Sequence, residues 1–236
     1  YIDGIPFLEP LQREGSSIDV LSLGKLKTLT DTTRRILHFF ASIKDSVYPK
    51  LKQMTAPIKS FPEIQRRIES IMDKYGDIKD SASQALFDIR RDIRSKEAAI
   101  SKRSQAILRD AQQAGIAAPD ASINIRDGKF LIPVNSSAKR SLPGFVHDVS
   151  SSGKTTFIEP NEIVELENDI AELRFQEVRE IQKILFEFSE FLRPYIPDLL
   201  EGARFVGEMD FLMAKAQTAL DFIAGMPVIS TDGSLS

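Results

Sequence analysis

Gly153-Lys154-Thr155, inside the run HDVSSSGKTTF (147–157), has the residue types and order of a chemical device. These three letters end a Walker A phosphate loop, G-x-x-x-x-G-K-[ST], a glycine-rich turn whose backbone N–H groups cradle phosphates and which opens directly into a helix. The first glycine of that pattern belongs at position 148, and Asp148 stands there, a carboxylate that repels phosphate. After Lys154 come Thr155-Thr156-Phe157-Ile158, β-branched and aromatic, then Glu159-Pro160. That composition predicts a strand rather than a helix. A nucleotide loop is therefore not expected. The same turn suits another chemistry: the hydroxyls of Ser150, Ser151 and Ser152, the amide of Gly153 and the ammonium of Lys154 are all donors for the phosphates of a polymer.

Other chemical groups have plainer readings. His147 beside Asp148 has no recognisable nucleophile or third partner, so a strand or turn pairing is expected. His38 sits in an amphipathic helical pattern and reads as a core or boundary residue. Glu159, Glu162, Glu165, Glu167 and Asp169 read as a solvated helix start, not a metal site. With no cysteine there is no disulfide, thiol catalysis or cysteine zinc site, which suits the cytoplasm. The net charge of −3 excludes a globally basic nucleic-acid binder but leaves room for a local patch.

Such a patch exists. Between Ser122 and Ile158 the bases Arg126, Lys129, Lys139, Arg140 and Lys154 face only Asp127 and Asp148, a net of +3. From Glu159 to Glu201 twelve acids face four bases, a net of −8. A positive segment on an acidic stalk is what contact with a phosphate backbone needs, because Lys and Arg displace condensed counterions. Lys139 and Arg140, after Asn135-Ser136-Ser137, fall in an exposed loop and are the leading phosphate candidates. Arg126, Lys129, Ser151, Ser152 and Lys154 complete the candidate set. A solvated surface with an ordinary number of bases is the alternative reading.

The elements that must position these groups are mostly helical. Leu26, Leu29, Ile36, Phe40 and Ile43 recur at helical spacing, as do Phe61, Ile64, Ile68, Ile71 and Tyr75. The second stripe has Ser60 as its cap, Pro62 in its first turn and Gly76 as its stop. Residues 82–114 form the most regular segment. Ser81-x-x-Gln84 reads as a capping box and Gly115 as a left-handed stop. Leu86, Ile93, Ile100 and Ile107 lie seven apart, with Ile89 on the same stripe and Lys96 and Arg103 in the second heptad position. The stripe is narrow, so one slender partner is expected, and a helix of this length spans about 50 Å.

A second long helix is predicted over 160–193, with Pro160 at its start. Its stripe is Ile163, Leu166, Ile170 and Leu173, then Val178, Ile181, Leu185, Phe188 and Leu192, and Pro194 and Pro197 end it. A last helix carries Phe205, Met209, Leu212, Ala216, Leu220 and Ile223. Between the long helices, Ile123–Arg126, Asp127-Gly128 and Lys129–Val134 make a hairpin with a primed turn. Gly144–Val149 and Thr155–Ile158 add two strands. The expected fold is mainly α with a small β insertion: a helical core, two long antiparallel helices and a β-rich segment at their tip. No run of about 18 apolar residues exists, so no membrane span is expected. The chain opens at Tyr1 without a signal peptide, which reads as a piece of a longer protein.

The run Gly144–Pro160, followed by Val164-Glu165-Leu166-Glu167-Asn168, resembles the second branch of the bacterial MutS family (MutS-two). Arg126–Val134 and Met209–Ala216 agree, and the last stretch also resembles the core helix of MutS proteins generally. The resemblance implies a helical core in 1–80, an outgoing lever helix in 81–120, a β clamp in 121–159, a returning lever in 160–199 and a core helix in 200–236. It further implies an ATPase beyond this chain that holds ATP and Mg, a separate nuclease module and a homodimer in the cytoplasm. No cofactor is expected in this piece. The partners implied are branched or recombining DNA, collided ribosomes, or both. Mismatch reading is not implied, because the family lacks that N-terminal domain. In the family the position of Lys154 is often neutral. Three functions follow: a non-catalytic nucleic-acid clamp and lever; a helical dimerisation or mechanical scaffold without nucleic-acid contact; and an independent nucleotide hydrolase resting on Gly153-Lys154-Thr155 alone.

Overall fold

The computed structural model describes residues 2–223. Its elements are α1 (Ile5–Leu8), α2 (Val20–Ser42), α3 (Pro49–Met54), α4 (Pro62–Ile71), α5 (Gln84–Gln113), β1 (Asn124–Arg126), β2 (Lys129–Asn135), β3 (Gly144–Val149), β4 (Thr155–Pro160), α6 (Asn161–Leu192) and α7 (Ile196–Asp221). The fold class is mainly α with a small antiparallel β insertion. Two compact units are present: residues up to Lys79 with those from Gln182 onward, and Asp80–Ile181.

The first unit is helical. Asp19 caps α2 by accepting the Ser22 N–H at 2.8 Å. Leu23, Leu26, Leu29 and Phe40 of α2 are buried, as are Ile64, Ile68 and Ile71 of α4 and Phe188 and Leu192 of α6. Ser189, also buried, accepts the Ile18 N–H at 2.8 Å. Several expectations fail here. Helix α4 stops at Ile71, and Met72 pairs with Ile78 around a turn in which Gly76 has φ +96°, so Tyr75 is exposed rather than on the helical stripe. Phe61, not Ser60, occupies the cap position of α4, without a side-chain cap. His38 is exposed on α2. Pro197 opens α7 instead of closing α6, because a missing N–H costs nothing in a first helical turn. In α7 Phe205 and Met209 are buried but Leu212, Ala216 and Leu220 are exposed, and Ile223, also exposed, lies beyond the end of the helix.

The second unit carries the charged segment. Ser83, rather than Ser81, caps α5: its hydroxyl accepts the Leu86 N–H at 3.0 Å and donates to Glu180 at 2.7 Å. Ser81 lies in the 3-10 turn just before, too early to reach a helix N–H. Helices α5 and α6 run antiparallel, and Ile93, Ile100 and Ile107 of α5 share one buried cluster with Ile163 and Ile170 of α6. Ion pairs flank this seam: Arg90–Glu177 at 2.6 Å, Glu97–Arg174 at 2.8 Å, Lys96–Asp169 at 2.6 Å and Arg103–Glu162 at 2.5 Å. This explains the bases in the second heptad position. The more exposed pairs, at Lys96, Glu97 and Arg103, contribute about 0–1 kcal/mol each, so they fix register more than stability. Val178 falls off the stripe and is exposed.

Gly115 ends α5 with φ +70°, and the N–H groups of Ile116 and Ala117 return to the Ala111 carbonyl at 2.8 and 3.0 Å. The four strands form one antiparallel sheet of order β1-β2-β4-β3. Asp127 and Gly128 both have positive φ (+49° and +79°), as a primed hairpin turn requires. Ile132, Val134 and Ile158 turn one sheet face into the cluster of Ile107, Leu108, Ala111 and Ile163. The sheet therefore packs over the distal end of the helix pair, at its tip as expected. Its hairpin reaches back until Gly128 and Phe130 line a groove with Glu97, Ile100, Ile170 and Arg174. A sheet this small buries too little by itself and needs the helices as its second layer.

Candidate nucleic-acid interface

Lys139 and Arg140 sit in the last turn of a 3-10 helix, Ser136–Ser141, that links β2 to β3. Its start is fixed at three points. The Asn135 N–H bonds the Ile116 carbonyl at 2.8 Å, the Ser136 N–H bonds the Lys154 carbonyl at 2.9 Å, and the hydroxyls of Ser136 and Thr156 lie 2.9 Å apart. The turn that bears Lys154 is thereby tied to the helix that bears Lys139 and Arg140. All three side chains are exposed, and none forms an ion pair among the described residues.

The other candidate bases stand differently. Arg126 pairs with Asp148, donates to Asn124 Oδ1 at 3.1 Å and lies over the Phe157 ring with Cζ 4.7 Å from its centroid. The Val149 N–H and then Arg126 hold the Asp148 carboxyl below its usual range. Lys129 pairs with Glu167 and, at 2.9 Å, with Glu159. Both charges are met within the protein because the hairpin lays them against β3, β4 and α6, contacts that linear spacing does not display. The positive character of the segment is left with Lys139, Arg140 and Lys154.

The turn between β3 and β4 also differs from expectation. The Gly153 N–H bonds the Ser150 carbonyl at 2.8 Å, the Ser150 N–H bonds the Thr155 carbonyl at 2.8 Å, and the Thr155 N–H bonds the Ser150 hydroxyl at 3.1 Å. The Gly153 amide and the Ser150 hydroxyl are thus engaged in shaping the turn, which leaves Ser151 and Ser152 exposed at its crest. Strand β4 begins at Thr155, directly after Lys154, so no helix N-terminus faces this turn. Asp148 lies in β3. The geometry is that of a hairpin, not of a phosphate loop.

Glu159 is what sequence reading missed. The expected solvated helix start holds for Glu162 but not for Glu159, whose side chain is only 4% exposed. A bulge between Val146 and Asp148 turns His147 so that Nε2 lies 2.5 Å from Glu159 Oε2. Burial pushes the Glu159 carboxyl up, but hydrogen bonds from Lys129, His147 and Glu167 outweigh it and hold it below its usual range. Burial also raises Glu167, and there Glu159 adds to the rise while Lys129 opposes it. Of the two carboxyls, Glu159 is therefore the one that ionises at the lower pH. The available signal was strand length: extending β4 to Pro160 would have placed Glu159 in the sheet. Among the described residues no group of His, Asp and Glu could hold a metal, and no helix is long and apolar enough to cross a membrane.

No family model matches the chain. Curated relatives do. It is 33% identical over 221 residues to a Geobacillus sp. (strain WCH70) protein named Endonuclease MutS2, covering 93% of this chain and 28% of that protein. Proteins of the same name from Alkaliphilus oremlandii (33% over 223 residues, 94% of this chain and 28% of the relative) and Enterococcus faecalis (31% over 234 residues, 96% and 29%) are similar. The chain thus spans less than a third of the length of the curated relatives it matches. Nearly all of it is related to one segment of proteins named Endonuclease MutS2.

Proposed function

We propose that the chain is the nucleic-acid-contacting part of a MutS-like ATPase, with α5 and α6 as levers and the sheet as a clamp that closes on a phosphate backbone. It performs no catalysis itself. ATP with Mg, the nuclease activity and homodimer contacts belong to other parts of the cytoplasmic protein, and its substrates are branched or recombining DNA, collided ribosomes, or both. One observation carries this reading: Lys139, Arg140 and Lys154, unpaired and exposed, gather where the 3-10 helix is bonded to the β3–β4 turn. Three cations without counter-charges are suited to displace counterions from a backbone. Such contacts position a nucleic acid without reading its sequence.

Lys139→Ala combined with Arg140→Ala is expected to weaken binding about equally across sequences. It should also flatten the dependence of log affinity on log salt by about 1 to 2 units, as two lost phosphate contacts require. Stability should change by no more than about 0.5 kcal/mol, because both sites are exposed. The titration is made on the intact protein with branched DNA and with ribosomes. Loss with one substrate alone names the partner. An unchanged slope with both refutes the contact and favours a scaffold without nucleic-acid contact.

A further inference from the structure

Arg126 is held for a purpose that its charge does not serve. Phe157 lies beneath the guanidinium, Asn124 Oδ1 accepts from Nε at 3.1 Å and Asp148 takes Nη1. Three anchors fix a plane, and Asp148 cancels the charge that a phosphate would seek. What remains available is the guanidinium face away from Phe157, on a side chain that is 46% exposed. A fixed guanidinium plane is a surface on which an unstacked base can lie.

The surroundings suit a nucleotide. On the sheet face turned away from the helices, Pro133 pairs with Phe157 and Asn135 with Thr155. With Ser122 and Asn124 these residues line an open cleft of about 320 Å³. That volume lies within the roughly 300–1,000 Å³ of small-molecule sites. The amides and hydroxyls there can meet base edges and sugar oxygens. Lys154 precedes Phe157 by three residues, roughly 10 Å along an extended strand. A backbone held at Lys154 therefore brings its bases towards Arg126.

We propose that Arg126 on Phe157 is a stacking platform for an unpaired base, which makes the substrate class a nucleic acid with unstacked nucleotides rather than a continuous duplex. This rests on the nucleic-acid reading above. Two variants separate plane from charge: Arg126→Lys keeps the charge without the plane, and Arg126→Gln keeps a planar amide without the charge. The intact protein is titrated with a continuous DNA duplex and with a duplex containing a short single-stranded gap that carries 2-aminopurine, whose fluorescence falls on stacking.

The wild-type protein should prefer the gapped duplex and quench the probe. Arg126→Lys should lose about tenfold in affinity for the gapped duplex, in line with base-stacking energies, and the quench should go with it. Arg126→Gln should lose less, and neither variant should change the salt slope or binding to the continuous duplex. Lys binding as well as Gln, a flattened slope with loss on both duplexes, or no preference by the wild type overturns the platform. Lys139→Ala with Arg140→Ala runs in parallel. Loss there without loss at Arg126 leaves the nucleic-acid reading standing and removes the platform, whereas no loss at any of the three removes the reading itself.

Discussion

Gly144→Ala will detach β3 from the sheet. A Cβ at Gly144 would lie 2.2 Å from the Glu159 carbonyl oxygen, 2.9 Å from its carbonyl carbon and 2.7 Å from a methyl of Ile158. Two of these neighbours are backbone of the adjacent strand, so no rotamer change relieves the overlap. Gly144 pairs with Pro160 at the end of β4, where β4 runs into α6 and has little room to shift. Overpacking of this kind costs about 3 kcal/mol. Amide protection along β3 should fall by roughly a hundredfold, while that of α2 stays unchanged. Gly24→Ala is the control. Its nearest neighbour would be the Met72 sulfur at 3.9 Å, within helix α2, so a gain of up to about 1 kcal/mol is expected there. Unaltered protection of β3 in Gly144→Ala would show that the strand pairing is looser than the geometry states.

Glu159→Ala is the second large effect. The carboxylate is buried between Lys129 on β2 and His147 on β3, and removing it leaves both without their shared partner. The partners left behind are over a third exposed and Lys129 keeps Glu167, so this loss is expected at about 1–3 kcal/mol. Glu167→Gln should behave differently. Burial and the charge on Glu159 oppose its ionised form while Lys129 favours it, so a neutral amide there should cost less stability at pH 7 than Glu159→Ala does. The pH dependence has a defined sign. The Glu159 carboxyl is held below its ordinary 4.5, so its contribution is present above that value and disappears as pH falls through the lowered one. Glu167 is raised, so its contribution is present below 4.5 and fades as pH rises through its folded value. Denaturation of the two variants between pH 3 and 8, read by amide exchange in β4, checks both. Equal losses for Glu159→Ala and Glu167→Gln at pH 7 would contradict this ranking.

Much of this architecture is legible in the amino acids because its causes are local. The sevenfold spacing of Leu86, Ile93, Ile100 and Ile107 yields α5, Asp127-Gly128 yields the hairpin, and Gly115 takes the left-handed stop. Caps are less legible. Ser81 and Ser83 both precede α5, and what distinguishes Ser83 is its second bond to Glu180, 97 residues away. The candidate site divides in the same way. Lys139, Arg140 and Lys154 are exposed as their loop setting implies, whereas the partners of Arg126 and Lys129 come from strand pairing and from α6. Glu159 was hidden because Glu before Pro at a helix start is ordinarily solvated; only the bulge at His147 and the approach of Lys129 bury it.

The central claim is that a nucleic acid lies against the Ser136–Ser141 helix and the β3–β4 turn. Photo-cross-linking from single positions in the intact protein tests it most directly. A benzophenone side chain replaces Ser137, exposed within that helix, or Leu21, which is 71% exposed at the start of α2 in the other unit. Each protein is irradiated with branched DNA and with ribosomes. The account predicts nucleic-acid adducts from position 137 that diminish when Lys139 and Arg140 are both Ala, with few from position 21. Adducts from position 21 equal to or exceeding those from 137, or yields at 137 unaffected by the double substitution, would contradict it.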